Sequence, residues 1–212
     1  MTNFIPIFPL GIVVFPGEKL NLHIFEPRYK QLITDCFAEG KPFGMPTVLK
    51  TGVSEYGTLL EVNEIVEIYD DGKMDIRTEG SFVFRILEMV KTLPDKLYSG
   101  AIVNYPANSD RLHESLQKAV ASALHELHTI LQLKKDFKKP AELLTSYDMA
   151  HHAGLSVEEE YEFLSLFRED QRLEYLKRHL AKVLPVVSEM ESLKEKIKLN
   201  GHFKNLSGNF DI

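Results

Sequence analysis

Between Phe4 and Tyr105, apolar residues come in short runs rich in Val, Ile and Phe, broken every few positions by Pro or Gly. Short β-branched and aromatic runs bounded by turn formers are the pattern of strands. Residues 5–9, 12–15 and 19–24 are three brief strand candidates. The prolines among them place these at edges and turns, because proline has no N–H to give a central ladder. Pro27 opens a predicted helix over residues 27–39. Proline at a first helical position sacrifices no hydrogen bond, Leu32, Ile33, Cys36 and Phe37 share one face, and Gly40 stands where a left-handed terminator is needed. After Gly57 the runs lengthen. Asp71-Gly72 separates strand candidates 64–69 and 74–78 as a hairpin turn would, with Ile65, Glu67 and Tyr69 facing one way and Val66 and Ile68 the other. Residues 81–90 and 97–105 read as two further strands.

At Pro106-Ala107-Asn108-Ser109 the period changes. From Asp110 onward Leu112, Leu116, Ala119, Ala123, Leu127 and Ile130 recur every three or four residues, as one stripe of a long helix. Pro140 starts a second helix that Gly154 can end, and Ser156 with Glu159 has the spacing of a capping box for a third. A fourth carries Leu173, Leu176, Leu180, Val183, Val187 and Met190, and Pro185 inside it is expected to kink or divide it. The pattern thus predicts an α+β protein with a β-rich domain over 1–106, a helical bundle over 107–200 and a frayed tail over 201–212.

Composition narrows what such a chain does. The 212 residues are 44% hydrophobic and 26% charged, values of a folded globular protein. A net charge of −6 argues against a general grip on nucleic acid, which needs Lys and Arg against phosphate. Cys36 is the single cysteine, so no internal disulfide forms and a reducing compartment is expected. The first residues lack the basic start and apolar run of a secretion signal, and no stretch is long enough to cross a bilayer; the cytoplasm is the expected address, with no membrane partner.

Catalytic and cofactor chemistry is poorly represented. Residues 44–51 come nearest to a phosphate loop, with Gly44 and Lys50-Thr51, but Leu49 stands where the second glycine must let phosphate approach. His125 and His128, one helical turn apart, and the pair His151-His152 fall short of the three or four convergent ligands a metal needs. No Ser sits on a Gly-rich turn and no Cys is placed with a His; Cys36, on the predicted buried face, is expected to be inert. The expectation is no catalytic residue, no metal and no cofactor.

Ile5-Pro6-Ile7-Phe8-Pro9-Leu10, then Val13-Val14-Phe15-Pro16-Gly17, Leu20-Asn21-Leu22-His23-Ile24-Phe25-Glu26 and Arg28-Tyr29, together resemble the signature of the N-terminal domain of Lon proteases. Val62-Asn63-Glu64-Ile65 and the run from Arg77-Thr78-Glu79-Gly80 through Arg85-Ile86 resemble that family's central strands, and the segment from Arg168 to Leu176 its lead into a long helix. The resemblance implies a PUA-like twisted β pseudo-barrel of the Lon N-domain type with one helix, followed by a helical bundle. It implies a non-catalytic role in recognising unfolded or damaged polypeptide, as an adaptor for an ATP-dependent protease encoded elsewhere, since the family's ATPase and Ser-Lys protease modules have no room in this chain. Subunit contacts are also implied, so an oligomer is allowed. A competing expectation is a small-molecule enzyme or ligand-binding protein with a pocket at the domain junction. Within the signature, Phe25 and Tyr29 are expected to pack and Arg28 to pair with Glu26 or a helix end, while Glu26, Arg28 and Lys30 are the candidate polypeptide-binding residues.

Overall fold

The computed structural model describes residues 3–109, 111, 113–133, 137, 139–140 and 143–206, the last seven by backbone alone. Six strands form one antiparallel sheet: β1 (Asn3–Pro6), β2 (Lys19–Ile24), β3 (Phe43–Leu49), β4 (Gly52–Ile68), β5 (Met74–Val90) and β6 (Gly100–Asn104). The order is β1-β6-β5-β4-β3, with β2 added alongside β5. Helix α1 (Pro27–Glu39) interrupts the strands; α2 (Glu114–Ile130), α3 (Ser146–Ala150), α4 (Val157–Leu164) and α5 (Glu169–Leu206) follow them. The chain divides into two compact units, Met1–Arg111 with Gly154–Glu169, and Leu112–Ala153 with Asp170–Ile212. Residues 154–169, which carry α4, therefore group with the strands rather than with a continuous 107–200 bundle.

The sheet curls because β4 and β5 are long and bulged. Their register shifts at Thr58/Leu60, Val62/Glu64 and Ile65/Glu67, and an extra residue in one strand bends it and raises its twist. The curl brings the chain after β1 to the far edge: Ile7 and Leu10 make single parallel bridges to Gly44 and Thr47 of β3. Closure rests on these isolated bridges, so the sheet is a pseudo-barrel and not a closed one. Residues 81–90 continue β5 through Gly80 instead of forming a separate strand, and the last strand is shorter than the expected 97–105.

Helix α1 has the bounds read from the sequence. Gly40 closes it at φ 61°, its N–H bonded to the Phe37 carbonyl. Tyr29, Leu32, Ile33 and Cys36 are buried and join Phe8, Val14, Ile24, Phe43, Leu60 and Ile76 in the main core. Phe37 is the correction: at 47% exposed it lies off that face. Residues 12–15 are not a strand either. Val13, Val14 and Phe15 are buried while their backbone bonds elsewhere: Thr58 Oγ1 donates to the Val14 carbonyl, the Phe15 N–H to Glu18 Oε2 (2.9 Å), and the Gly17 N–H to the Gly80 carbonyl (2.7 Å).

In the second unit, Val120, Leu124 and Leu127 of α2 are buried with Gln117, whose amide donates to the Leu144 carbonyl; Ala119 is exposed, so the buried face is turned from the stripe expected. Asp110 and Leu112, read as the start of that helix, lie outside the described residues. The helix expected from Pro140 is the short α3, capped by Thr145. Gly154 takes φ +75° and the Ser156–Glu159 capping box of α4 is formed from both sides. In α5 Leu173, Leu176 and Leu180 are buried, and the helix passes Pro185 undivided to Leu206. The predicted tail is thus helical through 206; 207–212 lie outside the described residues.

Candidate functional site

Strand β2 is an edge. Among the described residues it pairs with β5 alone, from Lys19↔Glu79 to Ile24↔Met74. In an antiparallel pair every second residue turns its N–H and C=O away from the partner, so the outer side of β2 offers a row of backbone donors and acceptors. Lys19, Asn21 and His23 are exposed, Leu20 and Leu22 half-buried and Ile24 buried.

Beside this edge β2, β5 and β4 form a three-strand surface, with His23 on its outer strand. A depression of about 330 Å³ is lined by Asn21, His23, Val66, Asp75 and Arg77 among others, and a second, about 560 Å³, by His23, Tyr69, Asp70, Asp71 and Lys73. His23 Nδ1 lies 2.6 Å from Asp75 Oδ1, and the Tyr69 hydroxyl donates to Asp75 Oδ2 at 2.8 Å. The hydrogen bonds from His23 and then Tyr69 hold the Asp75 carboxyl below the usual carboxylate range; the same carboxylate pushes the Tyr69 hydroxyl up to about 12. This network orients an imidazole, and no Ser, Thr or Cys lines either depression. Apolar groups surround it: Phe25 is 58% exposed with its ring 6.3 Å from His23, and Val66, at the register shift, is 46% exposed.

Of the sequence-predicted residues only Lys30 reaches this surface, through Asp71, while Arg28 lines a separate depression with Pro9, Tyr29, Lys91 and Tyr98. Glu26 is the N-cap of α1, yet its carboxylate takes hydrogen bonds from Arg28, at 2.8 Å from Nε and 2.7 Å from a terminal nitrogen. The Arg28 guanidinium lies 4.4 Å over the Tyr29 ring. Lys30 is held apart, donating to the Asp71 carbonyl in the β4–β5 turn at 2.9 Å. Tyr29 packs as expected, stacked on Phe8 at 3.9 Å, but Phe25 does not. No motif in the sequence marks His23, Val66, Tyr69 and Asp75 as site residues; the signal for them is the alternation of polar and apolar positions in β2, β4 and the start of β5.

The remaining motifs resolve into structure. Gly44 is a core position of β3, where an added Cβ would stand 2.6 Å from the Ile5 side chain, and Lys50 Nζ reaches Glu158 at 3.9 Å. His125 is exposed, while His128 bonds the His152 carbonyl at 3.2 Å; no three metal-binding side chains converge among the described residues. Cys36 is 2% exposed, and burial pushes its thiol up to about 12, away from reactivity at neutral pH. No helix among the described residues is long and apolar enough to cross a membrane.

The family model for the substrate-binding domain of the ATP-dependent protease La (LON) matches residues 5–182. The chain belongs to the Lon substrate-binding domain family. A LON peptidase N-terminal domain and RING finger protein of Schizosaccharomyces pombe is 30% identical over 105 residues, covering 41% of this chain; the chain spans only 21% of that protein. A crystal structure of a Lon N-terminal domain protein from Xanthomonas campestris has a TM-score of 0.63 at 24% identity, covering 82% of this chain and 96% of that one. The N-terminal domain of Mycobacterium avium complex Lon protease gives 0.63 at 13%, covering 84% and 98%. Both likenesses show the Lon N-domain fold, and family membership supports a substrate-binding role. Taken alone, the Lon substrate-binding domain is a non-catalytic module.

Proposed function

We propose that this protein is a non-catalytic polypeptide-binding adaptor, acting in the cytoplasm, that captures unfolded or damaged chains for an ATP-dependent protease encoded elsewhere. The observation that carries the reading is the unpaired edge of β2, which leads directly into exposed Phe25. A client segment in extended conformation adds to that edge as a further strand: main-chain hydrogen bonds give affinity independent of sequence, and the depressions beside the strand receive alternate side chains. A folded client has its backbone already paired and is refused.

Exposed charges near the edge are compensated in pairs: Arg77 with Glu64 at 2.6 Å, and Arg28 with Glu26 at 2.7 Å. Selection therefore rests on backbone and apolar contact. Glu26, Arg28 and Lys30 add electrostatic discrimination by exchanging their exposed partners for client charges, and charge-reversal variants that bind every client unchanged would remove them from this role. The reading is tested by titrating a labelled, permanently unfolded polypeptide, the same polypeptide locked in its folded form, and a peptide client N-methylated at alternate residues, following anisotropy. Saturable binding of the unfolded form, none of the folded form and a loss of at least about tenfold on N-methylation are expected, because each backbone hydrogen bond removed is worth about 1 kcal/mol. Equal binding of the methylated peptide would sink strand addition.

A further inference from the structure

The depression that Arg28 lines shares no residue with the two around His23. It has a volume of about 240 Å³. Helix α1 supplies Arg28 and Tyr29, the residue after β5 is Lys91, Leu97 and Ser99 precede β6, and Pro9 adds an apolar wall. In a chain of net charge −6 this depression is lined by two cations and no acid. The carboxylates that touch its lining residues are already engaged: Glu26 by Arg28, and Asp35 by Lys96 at 2.7 Å and the Tyr98 hydroxyl at 2.8 Å. Donors remain. Among the described residues Lys91 makes no ion pair, and the side-chain hydroxyls of Tyr29 and Ser99 make no hydrogen bond. Glu26 takes Nε and Nη2 of Arg28, which leaves Nη1 uncommitted. The guanidinium is held in place by Glu26 and by the Tyr29 ring 4.4 Å beneath it, and that ring is itself stacked on Phe8. A group fixed before its ligand arrives loses less freedom on binding.

We propose that this depression binds a carboxylate carried beside an apolar side chain, the chemistry shared by an N-acylated amino acid and the last residue of a polypeptide. Arg28 and Lys91 neutralise the carboxylate, the Tyr29 and Ser99 hydroxyls fill its remaining lone pairs, and Pro9 and Leu97 receive the side chain. A phosphate dianion fits less well, because its further charged oxygens would be set against Pro9 and Leu97 with no donor to meet them. The volume lies below that of pockets for drug-sized ligands and suits one residue rather than a length of chain. As a site for chain ends it rests on the polypeptide-binding reading and adds end recognition to it; as a site for a free acid it is independent of that reading.

Nuclear magnetic resonance titration of the full chain, nitrogen-labelled, tests this with N-acetylphenylalanine, its carboxamide and inorganic phosphate. N-acetylphenylalanine is expected to shift the Lys91 and Ser99 amides saturably at about millimolar concentration. The carboxamide should bind at least about tenfold more weakly, having lost the charge, and phosphate at equal concentration should not displace the acid. Lys91→Glu is expected to weaken binding at least about tenfold at an unchanged urea midpoint, since Lys91 is exposed and unpaired. Tyr29→Phe keeps the stacked ring and removes only the hydroxyl, for an expected loss of about three- to tenfold. A short peptide ending in phenylalanine separates the two sources: tighter binding than N-acetylphenylalanine, abolished by amidation, assigns the site to chain ends, and equal or weaker binding assigns it to small acids. No saturable shift, equal binding of acid and carboxamide, displacement by phosphate, or a Lys91→Glu variant that binds like the parent overturns the proposal. None of these results bears on the β2 edge, which client N-methylation tests separately.

Discussion

Phe25 and Tyr29 stand four residues apart in the same signature, a spacing that on a helix puts two side chains on one face. The helix, however, begins at Pro27, so Phe25 precedes the N-cap and does not share the helical register. Tyr29 turns into the core at 7% exposed and Phe25 turns out at 58%. Their alanine variants should therefore separate stability from binding. Tyr29→Ala removes a ring stacked on Phe8 and is expected to cost about 3 kcal/mol in urea unfolding. Phe25→Ala is expected to stay within about 0.5 kcal/mol of the parent, as surface changes do. In the anisotropy titration, Phe25→Ala should weaken unfolded-chain binding about tenfold, the loss of one exposed aromatic anchor. If Phe25→Ala binds as well as the parent, the apolar half of the proposed surface is elsewhere. Phe37 teaches the same lesson at the other end of α1, where a residue at the margin of the stripe is left in solvent.

Elements were legible where local chemistry fixes them. The bounds of α1 follow from Pro27 and Gly40, the start of α4 from Ser156 and Glu159, and β2 from a short apolar run bounded by turn formers. Strand β3 was not legible: Phe43 through Thr47 are all buried, so no alternation marks them, and Gly44 and Pro46 within it read as a loop. The candidate site was half legible for a related reason. Its charged residues flank a recognisable helix start, whereas Val66 and Asp75 meet His23 only through the β2–β5–β4 register, which long-range pairing sets. Gly80 shows what joins these strands to the buried turn. A Cβ there would lie 2.5 Å from the Phe15 carbonyl oxygen and 3.1 Å from Thr58 Cγ2, and the backbone is pinned because the Gly17 N–H bonds the Gly80 carbonyl. Gly80→Ala is expected to destabilise by about 1–3 kcal/mol through overpacking, read as a lower urea midpoint at unchanged slope. A variant as stable as the parent would show that this turn can retreat from β5.

The whole chain weaves between its two units, since residues 154–169 return to the strands before α5 begins, and the helical period of that stretch gave no sign of the return. Within the β-rich unit the ionisable groups make stability fall at both ends of the pH scale. Asp35 is held low chiefly by its hydrogen bond from Lys96, and Asp75 by that from His23. Carboxyls depressed in the folded state bind fewer protons than in the unfolded chain, so their contribution is present above the unfolded value of 3.8 and is lost as pH falls through the folded one. At the alkaline end the sign reverses. Burial lifts Cys36 from 9.0 to about 12, so the unfolded chain releases this proton first, and the thiol's contribution, complete below pH 9.0, is lost as pH rises toward 12. Tyr29 and Tyr98, also raised chiefly by burial, begin the same loss from 10.0. Urea midpoints are therefore expected to decline from pH 9.0 upward. Cys36→Ala should flatten the first part of that decline while leaving the tyrosine-driven part above 10.0 in place. Parallel alkaline profiles for the two proteins would mean that the Cys36 thiolate is tolerated in the folded core, because water reaches it or a cation meets it there, and the account of Cys36 as a sealed, inert core residue would fail with them.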